Sequence, residues 1–169
     1  GELFAGRFDG LEGVRGVDRD RFECGTLTVP EDRTRPDGRD VVLPVATLRT
    51  DAPDPRPDPY VYFSGGPGDA GIEAGVRVVA AGLVSPSRDF ILFDQRGTGR
   101  ATPSLYCPNV VEHEYRRFET TDPPEAEDAA GTTEHEECAE RVRAGADLDQ
   151  YDTPTTARDV DDLRSRSAM

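Results

Sequence analysis

Four residues, Gly65-Gly66-Pro67-Gly68, stand between a short apolar segment, Tyr60–Ser64 (YVYFS), and a stretch with helical spacing. Glycine accepts positive φ and lets a ligand approach the backbone closely. A helix that follows directly aims unpaired N–H groups at the same place. Such a loop can hold the oxyanion that develops when a carbonyl is attacked. It can equally be a tight strand–helix turn with no ligand. The same letters carry a rival reading, because Gly66-x-Gly68-x-x-Gly71 spells G-x-G-x-x-G. Asp94 ends the next apolar segment, where a dinucleotide-binding protein places its ribose-binding acid. Pro67 inside the turn, the additional Gly65 and the Pro-rich stretch upstream speak against that rival.

Other candidates for chemistry are few. Only His113 and His135 are available as bases, and both fall in an acidic stretch without a serine placed beside them, so both are expected at the surface. None of Ser64, Ser85, Ser87, Ser104, Ser165 and Ser167 lies in a G-x-S-x-G nucleophile elbow. A phosphate-binding P-loop requires a Lys, and the chain has none. Asp147, Asp149 and Asp152 lack the Gly and terminal Glu of a calcium loop. The three cysteines, Cys24, Cys107 and Cys138, form no C-x-x-C or Cys/His cluster, so no metal site and no cofactor is expected. Cys107 and Cys138 flank one segment and could close it as a disulfide or stay reduced. Spacing does not fix the pairing, and Cys24 is left over.

The elements that must position the glycine loop follow from pattern. Cys24–Pro30 (CGTLTVP) and Val41–Arg49 (VVLPVATLR) alternate as strands around a turn at Pro36, Asp37 and Gly38, so a hairpin is expected. Pro44 donates nothing to a ladder and marks its strand as an edge. Tyr60–Ser64 is apolar enough for a strand at a sheet centre. Ile72–Val84 has the period of a helix that Pro86 closes, and Phe90–Phe93 is a further strand. Strand, helix, strand implies a parallel pair with a right-handed crossover, the opening of an α/β fold. Residues 21–106 then form the sheet core and 107–152 a polar insert with one helix over Thr133–Ala146. Residues 153–169 form a helix capped by Thr153, with a thin apolar stripe of Ala157, Val160 and Leu163. A helix of this kind delivers the chain to a further strand. With none following by Met169, the chain reads as truncated and is expected to leave Phe63 and Phe93 uncovered.

Composition narrows the partners. The net charge is −14, and all 20 basic residues are Arg. That balance excludes nucleic acid, which needs a positive face, and an anionic membrane surface. No run reaches the roughly 20 apolar residues of a membrane span. Gly1–Gly10 shows no charged start followed by an apolar core, and a processed N-terminus looks the same. Nothing in the sequence fixes an oligomeric state.

Four segments together resemble a known family: Cys24–Arg33 (CGTLTVPEDR), Leu43–Arg49 (LPVATLR), Tyr60–Gly68 (YVYFSGGPG) and Phe90–Pro108 (FILFDQRGTGRATPSLYCP). They look like the proline iminopeptidase and tripeptidyl aminopeptidase group of α/β-hydrolases, over residues 22–166. The resemblance implies the N-terminal part of an α/β-hydrolase fold, ending before the nucleophile strand. It implies a backbone oxyanion donor in Gly65, Gly66, Pro67 and Gly68, with Ser64 where the family has His. It implies that Asp94, Gln95, Arg96 and Gly97 support the site, Asp94 and Arg96 being able to pair, and that Cys107 and Cys138 are bridged as in exported members. Asp159–Arg164 (DVDDLR) looks like the helix before the nucleophile strand, so serine, acid and histidine are expected beyond Met169. The implied substrate is a peptide or small ester and the implied location secreted or cell-envelope. The 169-residue chain alone is expected to be inactive. A non-catalytic interaction module of hydrolase ancestry is the alternative from another class.

Overall fold

A computed structural model describes residues 21–66, 68–84 and 87–167, the side chain of the last excepted. Pro67, Pro86 and Met169 lie outside the described residues. Strands β1 (Phe22–Pro30) and β2 (Asp40–Leu48) form an antiparallel hairpin in the register Phe22↔Leu48 to Pro30↔Asp40. Its turn is held by Asp32, which accepts from the Thr34 N–H at 2.8 Å and the Arg35 guanidinium at 2.6 Å. Strand β3 (Tyr60–Tyr62) leads through the glycine loop into helix α1 (Gly71–Ala80) and then strand β4 (Phe90–Phe93). β3 and β4 pair in parallel, β2 and β4 antiparallel, and the order across the sheet is β1-β2-β4-β3. The strand–helix–strand unit read from the sequence is therefore present.

Period-two alternation sorts the strands onto two faces. Leu27, Val29, Val41, Leu43, Val45, Ile91 and Phe93 form one core. Phe22, Ala46, Leu48, Phe90 and Leu92 form the other, beneath Ile72 and Val76 of α1. Helix α1 can lie that close because residue 71 is glycine: a Cβ there would collide with the Phe93 carbonyl oxygen. The helix ends earlier than its apolar period implies. Gly82, at φ 69°, sends its N–H to Val79 O, and Leu83 sends its N–H to Val78 O. This glycine stop ends the helix before residue 83 and leaves Leu83 exposed.

Two strand placements differ from expectation. β2 is an inner strand although it contains Pro44. Pro44 sits opposite Asp94, one residue past the end of β4, and its carbonyl accepts the Asp94 N–H at 3.1 Å. The N–H it lacks would serve only that terminal rung, so the cost is small. β3 lies at the sheet edge rather than its centre and is only half-buried. Phe93 is buried at 1% exposure, not uncovered, with the Phe63 ring edge-on at 5.4 Å, whereas Phe63 is 49% exposed.

The polar insert holds two helices instead of one, α2 (Pro108–Arg116) and α3 (Pro124–Gly145). Thr133–Ala146 matches the second half of α3, while its first half and α2 are missed because the faces they turn inward carry few apolar residues. After a single 3₁₀ turn at Leu148–Gln150, helix α4 (Thr153–Ser167) covers the first core. Asp152, not Thr153, caps it, accepting the Thr155 N–H at 2.8 Å. Its inward face is Thr155, Asp159 and Leu163, while Ala157 is exposed.

Asp159 explains that polar face. Arg96, from the loop after β4, grips it with two bonds, Nε to Oδ2 at 2.6 Å and Nη2 to Oδ1 at 2.8 Å, both side chains 1% exposed. Arg96 Nη1 also donates to the carbonyls of Glu31 and Gln150, and Arg33 Nη2 donates to Asp159 and Asp162, each at 2.7 Å. One guanidinium thus ties the hairpin, the β4 loop and α4 together. Removing one member of a buried pair costs about 3–5 kcal/mol where the other charge is left unpaired, and because Arg33 still holds Asp159 when Arg96 is lost the low end of that range applies, whereas an apolar replacement of both is often neutral. In the full-length protein, Arg96→Met is expected to lower unfolding free energy in urea by that amount. Arg96→Met with Asp159→Leu is expected to recover most of it. A mild single variant would show that the pair does not hold α4.

Candidate active site

The glycine loop and the segment Gln95–Leu105 leave the same, carboxyl end of the parallel strands β3 and β4, where α/β sheets bind ligands. Gly66 and Gly68 have φ of 77° and 92°, a conformation that L-residues other than glycine resist, and both face solvent. The Asp69 N–H bonds Gly66 O at 3.1 Å, and Ser64 Oγ donates to Asp69 Oδ2 at 2.8 Å, closing the loop on itself. Among the described residues, the N–H groups of Gly66 and Gly68 have no hydrogen-bond acceptor. Gly68 and Ala70 border a cleft of about 810 Å³ whose other wall is Gly97, Leu105, Tyr106 and Val111.

Asp94 and Arg96 do not pair with each other. Asp94, 2% exposed, accepts the Ile72 N–H on Oδ1 at 3.0 Å and the Arg100 N–H on Oδ2 at 2.9 Å. It therefore bolts the start of α1 to the β4 loop. This corrects two expectations. The first turn of α1 does not offer all its N–H groups to a ligand, because Ile72 is already bonded to a carboxylate. Asp94 also has no oxygen turned toward a ribose, which removes the support for a dinucleotide site. Gln95 is half-buried, its carbonyl accepting the Thr98 hydroxyl at 2.9 Å, and Gly97 is buried at the base of the cleft.

Cys107 and Cys138 are joined by a disulfide with Cα atoms 5.8 Å apart, linking the start of α2 to α3. Cys24 is half-buried on β1, its Sγ 4.0 Å from the Phe22 carbonyl oxygen. His135 is exposed. His113 is not at the surface: it is 4% exposed between α2 and α3, its Nε2 lying against Gly131. Among the described residues no group of His, Cys, Asp and Glu could hold a metal, and no helix is long and apolar enough to cross a membrane.

Sequence reading missed Glu31. It is 5% exposed and accepts from the Tyr151 hydroxyl at 2.9 Å, the Asp147 N–H at 3.1 Å and Arg39 at 3.3 Å. Nothing short of the fold reveals it, since its partners lie up to 120 residues away. Tyr151 in turn stacks on Arg96, ring centre to guanidinium 5.7 Å, and closes the floor of the cleft.

The architecture is of the α/β class, a mixed sheet with helices on both faces and a glycine turn at the carboxyl end of its parallel strands. No family model matches the chain. Over 154 residues it is 33% identical to the tripeptidyl aminopeptidase of Streptomyces coelicolor, an alignment covering 85% of this chain and 28% of that protein. It is 36% identical over 98 residues to the serine protease Hip1 of Mycobacterium tuberculosis, 57% of this chain and 18% of that protein. To the carboxylesterase B of the same organism it is 31% identical over 153 residues, 83% and 28% respectively. All three relatives are named for hydrolysis, and the chain spans less than a third of their length.

Burial raises the Tyr151 phenol above its ordinary value of 10.0, and the hydrogen bond to Glu31 acts in the same direction. A phenol whose folded pKa is raised favours the folded state fully below the unfolded value and loses that contribution as pH climbs above it. The thermal midpoint of the full-length protein is therefore expected to fall from about pH 10 upward. Tyr151→Phe is expected to flatten that slope. An identical slope in the variant would place the effect elsewhere.

Proposed function

We propose that residues 1–169 supply the oxyanion-binding part of a serine-type α/β-hydrolase domain, and that the whole protein cleaves peptide or ester bonds through an acyl-enzyme. The observation that carries this reading is the pair of positive-φ glycines, Gly66 and Gly68, whose N–H groups have no acceptor among the described residues, with Gly68 on the rim of a cleft at the carboxyl end of the parallel strands. The hydrolytic names of the relatives support it, and two of them, aminopeptidase and serine protease, favour peptides. The disulfide suits an exported or envelope location.

In this reading a serine hydroxyl carried outside the assigned residues adds to the substrate carbonyl carbon, its proton passing to a histidine. The carbonyl oxygen takes up the negative charge and is held by the N–H groups of the glycine loop. Collapse expels the amine or alcohol, which takes the proton from the histidine. Water then releases the acyl group by the same two steps. The chain's own contribution is to keep the loop donors rigid, through Asp94 beneath it and the Ser64–Asp69 bond across it.

Rigidity makes the loop testable. A Cβ at Gly66 meets no atom within 4 Å, so only the positive φ opposes a side chain there. Gly66→Val in the full-length protein is expected to displace the donors and lower kcat about 100-fold or more on a p-nitrophenyl ester, with KM nearly unchanged and folding intact. Wild-type rates in a folded variant would remove the loop from the mechanism.

A further inference from the structure

Helix α2 carries its amphipathicity the wrong way round. The side it turns toward α3 is polar: Asn109 Nδ2 donates to the Glu134 carbonyl at 2.9 Å and to its carboxylate at 2.8 Å, and His113 is buried. The side it turns to solvent is apolar: Val111 and Tyr115 lie one turn apart on the helix and Phe118 follows in the turn after it, exposed by 36%, 71% and 86%. Tyr106, just ahead of the helix, is 58% exposed. Exposed apolar side chains grouped in this way are uncommon on a protein surface that has nothing to bind.

What it binds is indicated by where it begins. Tyr106 and Val111 form the wall of the same cleft that Gly68 borders, so the stripe is the outward continuation of the candidate active site. Its length is also telling. From Val111 to Tyr115 the helix advances about 6 Å at 1.5 Å per residue, and the turn that follows carries the stripe on to Phe118, together about the span of three residues of an extended peptide. A small ester held in the cleft would meet Tyr106 and Val111 but not Tyr115 or Phe118, which do not line it. The rim charge gives a further constraint: Arg116 pairs with Glu134 and Arg117 with Glu114, while Glu112 and Glu119 have no ion pair among the described residues. The surroundings are net acidic and repel an acidic strand. The stripe is held in place by the disulfide at the first residue before α2 and by the Arg141 Nη2 bond to the Tyr106 carbonyl at 2.6 Å.

We infer that Tyr106, Val111, Tyr115 and Phe118 form an extended subsite for a peptide substrate, taking about three residues outside the cleft and preferring apolar or aromatic side chains over acidic ones. This rests on the oxyanion reading of the glycine loop. The test uses the full-length protein and its Tyr115→Ser/Phe118→Ser variant, neither residue touching the reacting atoms. Three substrates are compared: p-nitrophenyl acetate, a peptide amide with Phe at each of the outer positions, and its Asp counterpart. The wild type is expected to prefer the Phe peptide. The variant is expected to lose about 10-fold or more in kcat/KM on that peptide, through KM, and to keep its rate on the acetate. Equal rates on the Phe peptide overturn the inference while leaving the hydrolase reading intact. So does an equal loss on peptide and acetate together with a changed oligomeric state or a lowered thermal midpoint, which would mark the stripe as covered by another part of the protein or a second copy. If neither substrate is turned over by the wild type, the hydrolase reading itself falls. Calorimetric binding of the Phe peptide then decides the subsite separately, through retained or lost affinity in the variant.

Discussion

The buried ion pair between Arg96 and Asp159 is the constraint on which the remaining architecture depends. A guanidinium with both partners at 1% exposure has no solvent to fall back on, so every donor it carries must be matched. It is matched by groups from separate parts of the chain: Asp159 of α4, the Glu31 carbonyl at the end of β1 and the Gln150 carbonyl of the 3₁₀ turn. Segments 54 to 65 residues apart in sequence are thereby held in one geometry, and α4 is seated so that Leu163 closes the first core. The desolvation this requires brings orientation rather than extra stability. Apolar residues of similar volume could pack as well, but they would not fix the angle at which the β4 loop leaves the sheet.

That angle matters because the β4 loop is half of the candidate site. Asp94 and Arg96 point to opposite tasks from neighbouring positions. Arg96 anchors the loop downward into α4, and Asp94 anchors it sideways to α1 through the Ile72 N–H. The glycine loop between β3 and α1 is then held at both ends, by the parallel β3–β4 ladder and by Asp94. Fixed donors are what an oxyanion site requires, since a loop that must reorganise during reaction gives back the energy it supplies. The disulfide does the corresponding job for the opposite wall, fixing α2 and Tyr106 against α3.

Much of this was legible from local pattern. The hairpin, the crossover unit and the glycine loop follow from alternation, apolar runs and punctuation, because each is decided by neighbours close in sequence. What pattern could not supply was everything decided by distant partners. Pro44 looks like an edge residue until Asp94 is found opposite it at the last rung. His113 looks like a surface histidine until α2 and α3 fold against each other, because the one residue α2 buries is the histidine itself. Asp94 and Arg96 look like natural partners two residues apart, yet adjacent loop side chains diverge, and each satisfies its charge elsewhere. Glu31 and Asp159, both buried acids, carry no local signal at all. The glycine run was conspicuous in the sequence, while the network that holds the loops around it was not.

The central claim is that the glycine loop receives a negatively charged oxygen. The most direct measurement is a crystal structure of the full-length protein after reaction with a fluorophosphonate, whose phosphonyl oxygen mimics the tetrahedral intermediate. The account predicts a covalent adduct on a serine, with that oxygen about 3 Å from a backbone N–H of the Gly65–Gly68 loop and the loop unmoved. An adduct whose oxygen is held by other donors, with the glycine loop turned away from it, would contradict the account.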